Sequence, residues 1–189
     1  MQMSARELVY AALFTALMCV LTIVVRALQP ALIIPFSLQP LVMLIAASIL
    51  SPRAASLSML AYLFLGLLGV PVFSKPPFGG PAYVLLPSFG FILGFPLAAW
   101  IQSSLIRRQT WGNFFLAGCA GIIVLYLVGL PYMYVILNYY LGQAIDIYQV
   151  LKIGFLPFIA FDLLKIAIAA WLSVEICRRL GLNRESLSA

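Results

Sequence analysis

Histidine is absent from this sequence, which removes the commonest general base and the commonest zinc or haem ligand. Charge is scarce too: Asp, Glu, Lys and Arg make up 8% of the 189 residues, against 65% hydrophobic ones. A soluble domain of this length needs polar residues over most of its exterior, so the composition specifies an integral membrane protein. The three cysteines, Cys19, Cys119 and Cys177, lie in different apolar segments without paired spacing. That argues against a disulfide framework or a metal cluster and leaves them as small buried hydrophobes. No GxxxxGK[ST] nucleotide loop occurs, and the length leaves no room for an ATPase domain. With no nucleophile-and-base motif either, the reading is of a protein that is not an enzyme and carries no cofactor.

What is present is apolar sequence in long runs. Six of them, at approximately 5–25, 36–50, 54–70, 86–106, 113–141 and 149–180, are separated by Pro, Gly or charge. They predict an all-α fold of six transmembrane helices, a single membrane domain over residues 1–189. The first run, Leu8 to Val25, is too long for a signal-peptide core and is read as a retained helix. The second and third are short for a hydrocarbon core of roughly 30 Å, so they need shielding by neighbours or by a loop.

Orientation follows from the basic residues, which concentrate in cytoplasmic loops. An inside amino terminus places Arg6, Arg53, Arg107, Arg108, Arg178, Arg179 and Arg184 in the cytoplasm and leaves Arg26, Lys75 and Lys152 outside. Both termini are then cytoplasmic, in a multi-pass protein of the cell membrane. This asymmetry and anionic lipid head groups account for the net charge of +6, without a nucleic-acid partner.

The segment 71–87, within VPVFSKPPFGGPAYVLLP, is longer than a helix connection needs and reads as an external lid or binding loop. Its prolines stiffen it, while Gly79 and Gly80 allow a sharp turn or a close approach to a ligand. Near the chain's end, Asp162 and Lys165 stand three apart inside the last apolar run. An intramembrane charge costs about 2.5–3.5 kcal/mol on insertion scales, so each needs a reason. Spacing of three puts both on one helical face. Pro157 suits a first turn and not a helix interior, so the segment before it is bent or separate from the main helix, and a helix starting near Pro157 would hold the pair roughly 7–12 Å below its outer end. Two readings stay open: an ion pair that only locks helices together, and a polar site reached from outside.

Gln39 and Arg26 can add polar contacts to such a site. Phe73, Phe78, Tyr83, Phe89, Phe91, Tyr126, Tyr132 and Tyr139 are candidates for apolar walls, although aromatics also populate the interfacial belt. Apolar walls with a few polar anchors suit a small amphipathic organic molecule better than an inorganic ion. On the first helix, Ala12 and Ala16 stand four apart, a spacing that lets another helix approach closely, from within the fold or from a separate membrane subunit. Active uptake would need energy from a partner or an ion gradient. An autonomous proton-coupled carrier with Asp162 as its switch is therefore a second class.

The stretches FSLQPL (36–41), LSPRAASLSMLAYLFLGLLGVPVF (50–73), GGPAYVLLPSFGFILGF (79–95) and FLPFIAFDLLKIAIAA (155–170) resemble the BioY family, the substrate-binding S components of energy-coupling factor (ECF) biotin transporters. The resemblance covers almost the whole chain. It implies six helices with cytoplasmic termini and capture of biotin from outside. It also implies association with a transmembrane T component and ATPases, docked on the small-residue face of Ala12 and Ala16. By the same resemblance, Asp162 and Lys165 are polar ligand contacts and Phe78 to Tyr83 an occluding loop. The family usually carries a glycine pair where this chain has Ser88-Phe89-Gly90-Phe91, which implies a bulkier wall.

Overall fold

Proline and small polar residues punctuate the apolar runs, and helices begin where they fall. The computed structural model describes residues 3–28 and 37–181 and leaves out the side chain of Leu180; the described residues form an all-helical fold. Among the described residues seven α-helices follow in order: α1 (Ala5–Leu28), α2 (Gln39–Ile49), α3 (Pro52–Leu67), α4 (Phe89–Leu105), α5 (Trp111–Val135), α6 (Ile147–Gly154) and α7 (Ile159–Leu180). A 3-10 turn, Pro81–Leu85, lies in the long loop, and a π-helical stretch, Ile136–Tyr140, extends α5. Phe36, where the second apolar run begins, and Arg184 lie outside the described residues.

Local chemistry explains the starts. Ser4 and Glu7 bond each other's backbone N–H at 3.3 Å, a reciprocal cap that places Glu7 in the first turn of α1. Ser51 caps α3 by accepting from Ala54 N, and Pro52 then occupies the first turn, where its missing N–H is harmless. Asp146 and Gln149 form a full capping box on α6. Gly181, at φ 58°, ends α7 in the left-handed conformation.

Among the described residues, α1 and the continuous helix Trp111–Tyr140 are each long and apolar enough to cross a membrane. Helices α6 and α7 make a third candidate as a pair bent by 47°. The last apolar run, 149–180, is two helices with the break at Pro157, which cannot donate to a helical ladder, so that residues 155–158 turn instead. Helices α2, α3 and α4 have 11, 16 and 17 residues.

The shortest of them is central. Val42, Met43, Leu44, Ala46, Ala47, Ser48 and Ile49 of α2 are all buried, because α1, α3, α4, α5 and α7 pack around it. In lipid, helices associate by close van der Waals packing, for which small residues are suited. Ala46, Ala47, Ala54, Ala55, Ala98 and Ala99 are completely buried and supply those close faces. Polar staples complete the packing: Thr15 Oγ1 donates to Ser58 O at 2.9 Å between α1 and α3, and Gln102 Nε2 to Leu44 O at 2.9 Å between α4 and α2. On α1, Ala11, Phe14, Thr15 and Met18 face inward while Ala12 and Ala16 stay exposed, so these two alanines do not pack within the fold.

Candidate ligand-binding site

Helices α2, α4, α5, α6 and α7 and the long loop converge on a cavity of about 330 Å³. That is at the lower end of the roughly 300–1,000 Å³ usual for small-molecule sites. Its walls are mostly apolar, from Phe91, Ile92 and Phe95 on α4, Leu125 and Met133 on α5, and Phe158 ahead of α7. Asp162, Lys165, Tyr126, Gln39 and Tyr83 also line it, with Ser37, Ser74, Lys75 and Ser88.

The buried end is built around one carboxylate. Lys165 Nζ donates to Asp162 Oδ1 at 2.9 Å, and the Tyr126 hydroxyl donates to Asp162 Oδ2 at 2.5 Å, lengths expected for charge-assisted bonds. Asp162 is 5% exposed and Lys165 4%, so both charges are compensated inside the fold. Asp162 lies in the first turn of α7, where the helix dipole also favours an anion. Since α7 starts at Ile159, the pair sits roughly 4–9 Å below the helix start at 1.5 Å per residue, shallower than expected from a start near Pro157.

Gln39 lines the cavity with both ends of its amide engaged. Its Nε2 donates to the Tyr62 hydroxyl and its Oε1 accepts from Ser37 Oγ at 2.9 Å; Tyr62 in turn donates to Val72 O at 2.9 Å. This chain holds the start of α2 against the long loop. Tyr83, fully buried, is the loop's contribution to the wall, and burial pushes its hydroxyl above its ordinary pKa, so it stays neutral.

Three expected ligand contacts fall elsewhere. Phe73 is completely buried behind Tyr83, with ring centroids 4.3 Å apart, and supports the wall without lining it. Gly79 folds the loop onto α3: a Cβ there would stand 2.5 Å from Val70 O, so only glycine fits. Gly80 N donates to Gly66 O at 2.7 Å in the same clasp. Arg26 does not line this cavity either. Its guanidinium donates to Pro71 O at 2.9 Å and Phe73 O at 3.2 Å and lies 4.2 Å from the centroid of the Phe78 ring, tying α1 to the loop. Of the other aromatic candidates, Phe89 is buried among rings, Tyr132 donates to Val84 O, and Tyr139 is exposed.

The model of the BioY family matches residues 1–182. The chain belongs to the BioY family. It is 37% identical over 92% of its length to a probable biotin transporter BioY of Lysinibacillus sphaericus, covering 87% of that protein. It is 32% identical to the biotin transporter BioY of Thermotoga maritima, over 90% of this chain and 95% of that one. The fold matches a crystal structure of the S-component for biotin from an ECF-type ABC transporter, with a TM-score of 0.74 at 21% identity over 94% of this chain and 95% of the other.

The sequence reading of this BioY-family chain missed the serines and Lys75 at the cavity's rim. Each is a polar residue among prolines and aromatics in a loop, where no periodicity marks a direction. It also missed Met133 on α5 and Ile153 on α6, the latter brought to the cavity by the turn between α6 and α7. Gly129 on α5 leaves room for Phe91 on α4, whose Cδ1 would stand 2.4 Å from an added Cβ, a fit that only the packing of the two helices shows.

Proposed function

We propose that this protein is the biotin-binding S component of an ECF-type uptake system, taking biotin from the outer side and releasing it inward with a T component and ATPases. The observation that carries the reading is the cavity itself, apolar along its walls and closed by a charge-neutral Asp162–Lys165–Tyr126 cluster, in a chain of the BioY family. Biotin offers an apolar bicycle and alkyl tail, a ureido group with two donors and one acceptor, and a carboxylate. A neutral cluster suits the ureido group: Asp162 accepts from its N–H groups and Lys165 donates to its carbonyl.

In this reading the chain crosses the cell membrane six times with both termini in the cytoplasm, α6 and α7 together forming the last crossing. The segment 71–87 acts as the lid, and the exposed face of Ala12 and Ala16 docks the T component. The protein works by binding and gating, with no covalent chemistry.

Uptake of labelled biotin by cells expressing the chain with and without a T component and ATPases tests the proposal. Uptake that needs the partners and ATP supports it. ATP-independent uptake by the chain alone, abolished by dissipating the proton gradient, would favour the proton-coupled carrier instead.

A further inference from the structure

The cavity's two ends differ in charge. Its buried end holds Asp162 and Lys165, which cancel, and a carboxylate placed there would meet the carboxylate of Asp162. Its exposed end holds Ser37, Ser74 and Ser88, each half-buried, and the exposed Lys75. Lys75 is the one lining residue of the cavity whose positive charge is not matched by an ion pair among the described residues. The external Arg26 is committed to the loop backbone, and Lys152 does not line the cavity.

Backbone bonds fix where Lys75 stands. Its N–H donates to the Tyr83 hydroxyl at 3.4 Å, and its carbonyl accepts from Phe78 N at 2.7 Å, closing a tight turn over the two prolines. Phe73 N donates to Phe78 O at 2.8 Å across the same turn, and Arg26 holds the Phe73 carbonyl and the Phe78 ring. The main chain at the rim is therefore held in place, while the long aliphatic stem lets the ammonium reach over the opening.

We propose that Lys75 is a specificity-determining residue that receives the ligand's carboxylate at the cavity mouth, so that the protein selects acids over their neutral amides. This rests on the biotin reading and sets the ligand's direction: ureido end buried, carboxylate outward. Lys75 is exposed, so its contribution is moderate. An exposed ion pair and a charge-assisted hydrogen bond bracket it at roughly three- to tenfold in affinity, and it weakens with salt.

The test is calorimetric titration of the purified full chain in nanodiscs with biotin and with biotinamide, its uncharged amide of nearly equal size. Wild-type protein should prefer biotin roughly three- to tenfold at low ionic strength. In Lys75→Met the affinity for biotin should fall to that for the amide, whose binding reports an intact cavity. Lys75→Arg should keep the preference, and so should Lys152→Met, which removes an external charge away from the cavity. Equal affinity of wild type for the two compounds, a preference that survives Lys75→Met, or one that Lys152→Met abolishes as well, would overturn the assignment while leaving the biotin reading intact. Wild-type protein that binds neither compound would defeat the biotin reading itself.

Discussion

Removing one member of the buried pair should cost stability and biotin affinity together, and removing both should separate the two. Lys165 Nζ and Asp162 Oδ1 are 2.9 Å apart, with side chains 6% and 7% exposed. Breaking a pair so buried costs about 3–5 kcal/mol in soluble proteins, because a charge is left uncompensated. In Lys165→Ala the carboxylate keeps the Tyr126 hydroxyl and the N-terminal end of α7, which together return about 1 kcal/mol. A net loss of about 2–4 kcal/mol in stability is expected. If the same groups also meet the ligand, biotin binding weakens by about 1–3 kcal/mol, roughly ten- to hundredfold. Asp162→Asn should behave alike, leaving Lys165 without its carboxylate. The double variant Asp162→Asn/Lys165→Met contains no charge, so most of the lost stability returns, whereas the affinity does not. Purified proteins are compared by thermal melting and by calorimetric titration with biotin. Single variants that melt early yet bind biotin as wild type does would reduce the pair to a structural lock, and a double variant with wild-type affinity would refute the reasoning.

Two other perturbations test the surroundings of the site. Gly129→Ala places a methyl group 2.4 Å from Phe91 Cδ1, so the ring must move into the cavity or α4 and α5 must part. Overpacking of this kind costs about 1–3 kcal/mol, and a drop of at least about tenfold in biotin affinity is expected by titration. Unchanged affinity would mean that Phe91 does not bound the ligand. Arg26→Gln removes the bonds to Pro71 O and Phe73 O and the stacking on Phe78. Backbone amides of residues 72–75 and 78–80 should then exchange hydrogen about five- to thirtyfold faster, and bound biotin should leave sooner. Exchange at the wild-type rate would show that the loop is held by its own backbone bonds and not by α1.

Some features were legible because they are local. Apolar runs define helices through length and composition, and a spacing of three places Asp162 and Lys165 on one face whatever surrounds them. Caps such as Asp146–Gln149 are equally local. The direction of a loop residue is not. Phe73 and Tyr83 belong to the same aromatic-rich segment, yet one supports the wall and the other forms it, a difference decided by the folding of the loop over Gly79 onto the end of α3. On sequence Arg26 offers the site a polar contact, whereas in the fold loop carbonyls occupy its guanidinium. The break before α7 was signalled by Pro157, but the 47° bend that brings Ile153 and Gly154 to the cavity depends on how α6 and α7 pack.

From sequence alone came the membrane class, the helical fold and the family, because hydrophobic length, near absence of charge and ordered motifs are properties of a chain read in one dimension. Tertiary structure alone decided which polar groups share a space. Tyr126 stands 36 residues from the carboxylate it bonds, Gln39 is 23 residues from Tyr62, and the loop that carries Lys75 reaches the cavity only because α1 and α3 hold it there. Such pairings follow from packing angles between helices, which no period in the sequence encodes.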